Sequence, residues 1–199
     1  TTMGSGKTVS VSINGAAAAG NTTTASNGTY TISGLTVVAG DILTLYLDNN
    51  TEDGVTVTVG SGSNLTGIDI YQDDLITRCD NSCSLTNSNL DTADNNGDSD
   101  ISAIFSVSGG TLTLASSKSL FIPSSHTYVP GGSISVGLNF TNNGTYNRVL
   151  NGSSQLKSKG NIIYLERWFN SERLNPRIQL YFIGNYSNLT VYNITAENI

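Results

Sequence analysis

Charge is what this sequence has least of. Of its 199 residues 12% are charged, 9 Lys and Arg against 15 Asp and Glu, with one His; an ordinary soluble domain has about a quarter. A net charge of −6 excludes the basic face that releases phosphate counterions in a nucleic-acid binder. It equally excludes electrostatic docking on an anionic membrane. No apolar run approaches the ~20 residues of a membrane-spanning helix, and the best, Ile101–Val107, is interrupted by Ser. No basic region followed by an apolar stretch opens the chain, so no signal peptide is visible and the sequence reads as a mature or excised form. Prolines occur only at 123, 130 and 176, and no long helical pattern is present.

Neutral polar residues take the place of charge: 23 Asn, 26 Ser and 24 Thr, with 21 Gly. At 37% hydrophobic the chain can still bury a core, as one domain or two small ones. Its apolar residues alternate. Thr8–Ile13 places Val9, Val11 and Ile13 on one face, and Val55–Val59 reads Val-Thr-Val-Thr-Val. Tyr30-Thr-Ile-Ser repeats the alternation, and Ile42–Leu47 is apolar on both faces. Period two with β-branched residues predicts strands, and Asn14-Gly15, Asn27-Gly28 and Asp53-Gly54 predict the turns between them. Ile104–Val107, Thr111–Leu114, Leu120–Ile122 and Ile134–Leu138 continue the pattern, as do Ile178–Phe182 and Leu189–Asn193. The expected fold is all-β. Residues 1–60 form an Ig-like β-sandwich unit, 61–100 an Asp/Asn-rich connecting region, and 101–199 further antiparallel sandwich or β-solenoid strands.

Two features bear on compartment. Cys79 and Cys83, in Cys-Asp-Asn-Ser-Cys, can close a small disulfide loop, which requires an oxidising, extracytoplasmic setting. Free thiols and half of a metal site are the alternatives. Ten Asn-x-Ser/Thr sequons occur, at Asn21, Asn27, Asn49, Asn64, Asn139, Asn143, Asn151, Asn185, Asn188 and Asn193. They read either as a glycosylated surface or as turns rich in Asn, Ser and Thr.

Candidate chemistry is sparse. Asp94, Asn96, Asp98 and Asp100 alternate around Gly97, with Asp91 nearby. Alternate oxygens in a loop can converge on Ca²⁺, although the EF-hand register fails because Thr92 falls where the first Asp belongs. The other reading is a solvated loop without a cofactor. His126 is the one imidazole available as a base, and no Gly-x-Ser-x-Gly elbow or His-Glu-x-x-His occurs. Asp73-Asp74, or Glu166 with Glu172, are the carboxylate pairs a glycosidase would use. Lysines stand only at 7, 118, 157 and 159. A buried lysine beside Asn and a carboxylate can condense to an isopeptide, and Lys7 is the candidate, against a solvated edge lysine that discourages aggregation.

Two segments suit strand exchange between chains. The flexible Thr1–Gly6 leads into strand 8–13, and the apolar run Leu189–Ile199 lies near the other end.

The stretch Gly28–Asp48 resembles a segment of large secreted bacterial adhesin-like repeat proteins. Gly67–Ile76, Asp98-Ser-Asp-Ile101 and Gly109-Gly-Thr-Leu-Thr-Leu114 are similar to the same group. So are Asn139–Tyr146 and Asn151-Gly-Ser-Ser-Gln155, which look like its β-solenoid coils. The resemblance covers roughly residues 7–155, and the chain beyond departs from it in Tyr, Trp and Arg content. It implies an extracellular, β-rich, non-catalytic surface role and supplies no catalytic residues. The expectation is a structural protein of a cell-surface filament (pilus-like) or adhesin stalk, self-associating by strand exchange or sheet stacking, with cell-surface glycans as a further partner. The alternatives are a carbohydrate-binding module, which would expose Tyr164 and Trp168, and a β-solenoid polysaccharide-degrading enzyme.

Overall fold

The computed structural model describes residues 4–147 with their side chains, and the backbone of 154–158, 161–168 and 177–183. The fold is all-β, with two short helices among the described residues. Four strands open it: β1 (Thr8–Ile13), β2 (Ala18–Thr23), β3 (Ala39–Leu47) and β4 (Val55–Ser61). They pair antiparallel in the order β4-β3-β1-β2.

From β4 onward the pairing changes. β5 (Asp74–Thr77), β8 (Ser119–Ile122) and β11 (Phe140–Asn142) continue the same sheet in parallel register. Val55 pairs with Leu75, Leu75 with Leu120, and Leu120 with Phe140. A second face stacks β7 (Thr111–Leu114), β10 (Ile134–Val136) and β13 (Ser154–Ser158), also parallel. The antiparallel β6 (Phe105–Ser108) borders it on one side, and β14 (Asn161–Trp168) and β15 (Arg177–Ile183) on the other. A third face pairs β9 (Thr127–Tyr128) with β12 (Thr145–Tyr146), and Leu85 bridges to Tyr128. Most stacked partners recur 18 to 22 residues apart, as in Thr127 to Thr145 and Leu112 to Ile134, while Leu75 to Leu120 spans 45 because the two helices and β6 and β7 intervene. The chain therefore winds in stacked coils, each contributing to three faces.

The interior follows from the alternation. Leu75, Leu120, Ile122, Leu112, Leu114, Tyr128, Ile134 and Val136 all point inward and are buried in one cluster with Tyr46, Val55 and Val57. The two-faced apolar pattern of β3 now has its reason. Ile42 and Tyr46 face the coil interior, while Leu43, Leu45 and Leu47 join Val9 and Val11 in a second cluster on the outside. At the corners one coil passes directly over the next. A Cβ on Gly132 would lie 2.1 Å from the Gly110 carbonyl oxygen, and one on Gly137 1.7 Å from that of Ala115.

Three expectations change. The polar stretch expected as a connecting loop holds two helices, α1 (Asn87–Asp94) and α2 (Ser99–Ser102). Thr86 caps α1 reciprocally with Asn89, and Leu90 and Ala93 press into the coil interior. That stripe of two apolar residues is too narrow to read as a period. Tyr30-Thr-Ile-Ser forms no ladder; Gly34, with φ at 76°, breaks the alternation after it. β1 to β4 thus make one sheet whose outer face is covered by irregular segments, in place of two packed sheets. Strand and core also run across positions 60 and 100: β4 spans 55–61, and the inner cluster extends from Ile42 to Val136.

Candidate functional site

The outer face of the first sheet is covered by irregular segments that leave a recess between them. Residues 29–38 and 62–70 leave the paired ends of β3 and β4, where Ala39 pairs with Ser61, and fold back over the sheet. Between them lies a groove of about 840 Å³ with Val11, Leu43 and Leu45 at its floor and Ile32, Leu35 and Leu65 along its rims. Tyr30 donates its hydroxyl to the Ile68 carbonyl at 2.7 Å and ties the rims together at one end. Burial, and secondarily the charge of Asp69, pushes the Tyr30 phenol well above its ordinary range. Arg78 holds the second rim by donating Nη1 to the Gly67 carbonyl at 2.6 Å, while its fork grips Asp80. Burial raises the Asp80 carboxyl, but hydrogen bonds from Arg78 and Thr58 outweigh it and hold the carboxyl below its usual range. Residues 30–37 and 62–69 make no backbone–backbone hydrogen bond among the described residues. Their amides and carbonyls border an apolar floor without a ladder.

A second cluster was not foreseen. Lys118 is only 8% exposed and donates to Asp73 at 2.6 Å and Asp53 at 2.8 Å. Burial lowers its pKa, but the two carboxylates outweigh that and raise it. Asp74 beside them is raised by burial and by the charge of Asp73, yet Asp73 itself is occupied by Lys118. A signal did exist. Asp53, Asp73 and Lys118 each stand two residues before the inward residues Val55, Leu75 and Leu120, so aligning the strands by their apolar residues superposes them.

The sequence candidates separate in space. The sulfurs of Cys79 and Cys83 lie at disulfide distance, with Cα atoms 5.7 Å apart. His126 packs against this loop, its Nδ1 3.3 Å from the Cys79 amide and 3.1 Å from its carbonyl. The acidic residues are spent individually. Asp94 accepts from the Val107 amide, Asn96 bonds the Ala16 carbonyl, Asp98 caps α2 and accepts from Tyr46, and Asp100 accepts from the Asn49 amide. Among the described residues no three His, Cys, Asp or Glu side chains converge. Lys7 pairs with Glu52 at 2.6 Å and is partly exposed.

The sequon residues Asn21, Asn27, Asn49, Asn64, Asn139 and Asn143 are all exposed, whereas the non-sequon Asn87 is buried. Asn87 donates to the Gly110 and Ser133 carbonyls and accepts from the Tyr128 hydroxyl, pinning α1 over the coil interior. Asn151, Asn185, Asn188 and Asn193 lie outside the described residues. So do Lys159, Glu172 and the run Leu189–Ile199, and of Lys157, Tyr164, Glu166 and Trp168 only the backbone is described. β1 is paired on both edges, with β2 and β3, so it is a strand of its own sheet and not a free donor. No described helix is long and apolar enough to cross a membrane. Comparison with protein families, with characterised proteins and with solved structures finds no match for this chain.

Proposed function

We propose that the chain is a non-enzymatic, extracellular structural unit, a stiff segment of a cell-surface filament or adhesin stalk that joins its neighbours through its sheets. One observation carries this reading: parallel coils in register on three faces, with inward apolar ladders and outward Ser and Thr. A stack of this kind is quasi-one-dimensional and lengthens by adding coils. Strand pairing along the stack makes it stiff, and a neutral polar exterior suits a polymer that must stay solvated with few charges. The disulfide-distance pair Cys79–Cys83 and the six exposed sequon residues support an oxidising, extracellular setting.

Electron microscopy of the purified chain, with intact mass on the same sample, tests it. Elongated particles or filaments are expected, together with the mass loss of one disulfide. Compact monomers that turn over a glycan, with turnover abolished by a single carboxylate change, would overturn it.

A further inference from the structure

We infer that Asn139 carries an N-linked glycan whose first N-acetylhexosamine packs on the rings of Phe121 and Tyr71, so that the chain's own sugar covers its aromatic patch. This rests on the extracellular reading above and names one modified residue within it.

The patch lies on the outer face of the coils. Leu120 and Ile122 turn into the interior cluster, so Ser119 and Phe121 face outward on β8. Phe140 packs against the same cluster from β11, which turns its neighbours Asn139 and Thr141 outward. Thr141 pairs with Phe121, and the Asn139 carbonyl accepts the Leu120 amide, so the ladder still holds at Asn139. Asn139 is thus the diagonal neighbour of Phe121 on one face, about 8 Å away by strand spacing and rise. Tyr71 reaches the patch from the other side. Its carbonyl accepts the Asp74 amide, and the register sets Asp74, Ser119 and Asn139 in one row. The Tyr71 ring is tilted 55° to that of Phe121, with centroids 5.5 Å apart. Tyr71 is 44% exposed, and Leu138, the residue before Asn139, 48%. Apolar groups exposed together, unlike ones scattered singly, mark a binding surface.

The sequon supplies the occupant. Asn139-Phe140-Thr141 carries both its Asn and its Thr outward, and both are exposed. A host transferase makes the bond: Asn139 Nδ2 displaces a diphosphate leaving group from the anomeric carbon of a donor sugar and releases one proton. One face of a sugar ring presents C–H bonds whose partial positive charge suits the negative face of an aromatic ring. A sugar tethered at Asn139 meets these rings without the loss of translational freedom that a free sugar suffers on binding. Other described sequons are placed differently. Asn27 accepts from Thr29, Asn49 donates to Asp48, and Asn21 lies across from Ser10.

The test uses the full chain secreted from an N-glycosylating host, with its glycans trimmed to single N-acetylglucosamines. Peptide mapping by mass should find Asn139 occupied. The N-acetyl methyl proton signal at Asn139 should lie upfield of that of a free Asn-linked sugar, shifted by the ring currents. This is read on the wild type, so it stands whether or not a variant folds. Asn139→Gln should raise the unfolding constant about threefold or more. In a Tyr71→Ser/Phe121→Thr background the same change should alter it less than about twofold. An unoccupied Asn139 overturns the inference. So does an occupied Asn139 whose methyl signal is unshifted, or whose loss has the same effect in both backgrounds. Rods that persist with Asn139 unoccupied leave the stalk reading standing and remove only this site.

Discussion

Lys118 Nζ lies 2.6 Å from Asp73 and 2.8 Å from Asp53, and each of these three residues stands two positions before one of the paired residues Val55, Leu75 and Leu120, where three neighbouring strands begin. The backbone ladder runs beneath them, with the Asp73 amide on the Asp53 carbonyl and the Ser119 amide on the Asp73 carbonyl. A single buried cation thus pins the junction between the antiparallel strands and the coils. Replacing Lys118 by Met removes the charge but keeps the stem. The carboxylates that remain are partly exposed, Asp53 at 27% and Asp73 at 45%, so water relieves part of their repulsion. The expected cost is about 1–2 kcal/mol in urea unfolding, below the range for a fully buried pair.

Alkali should unfold the protein through groups of two kinds. Lys118 has a raised pKa in the folded state, so its contribution is complete below the unfolded lysine value of about 10.4 and is lost as pH rises through the folded one. Tyr46 and Tyr128 are raised by burial first, then by Asp98 for Tyr46 and by Tyr146 for Tyr128. Their neutral forms belong to the folded state, so stability also falls once unfolded tyrosine ionises near pH 10. Thermal unfolding between pH 8 and 11.5 should show a falling Tm from about pH 10 onward. The fall should be shallower in Lys118→Met. A flat profile across that window would contradict the burial of these groups.

The disulfide loop closes only four residues of separation. Chain-entropy arguments give so short a loop about 2 kcal/mol. Cys79→Ser/Cys83→Ser should lower stability by that order, read from denaturant unfolding, and free the Cys79 backbone that His126 now contacts. Wild-type stability in reducing buffer should fall to the level of the variant.

The strands were legible because alternation is local. β1, β3, β4, β7 and β8 all fall where Val, Leu and Ile recur at every second position. Parallel stacking was read only as the β-solenoid alternative for residues 101–199, because register between Leu75 and Leu120 spans 45 residues, and the intervening chain carries two helices. α1 was hidden by composition: Thr86 and Asn89 read as turn residues, and Asn87 gives no sign that it is 2% exposed and bonded to three groups. The groove was invisible for a related reason. Tyr30 and Ile32 alternate like a strand, as do Leu35 and Val37 beyond Gly34, but neither pair has a backbone ladder partner, and one sequence cannot show that.

Glycine at the corners offers a sharp comparison. A Cβ on Gly137 would strike the Ala115 carbonyl, whereas one on Gly131 meets nothing within 4 Å and faces only a φ of 68°. Gly131→Ala should cost about 1 kcal/mol, the ordinary penalty of a left-handed backbone. Gly137→Ala must push two coils apart and should cost ~3 kcal/mol or more. Equal effects from the two substitutions would mean that the coils are not stacked in this register.

Thr44 supplies a prediction of the opposite sign. It is fully buried on β3 between Ile42 and Tyr46, and its hydroxyl has no hydrogen-bond partner. Strand pairing satisfies its backbone, with Val57 and Ser12 as cross-strand neighbours. The hydroxyl therefore carries its desolvation cost without return. Valine has nearly the same shape and the same preference for a strand, and it removes the polar atom. Thr44→Val should stabilise the protein by about 1 kcal/mol, seen as a higher denaturation midpoint at unchanged slope. A loss of stability would place a water or an unrecognised partner at that hydroxyl.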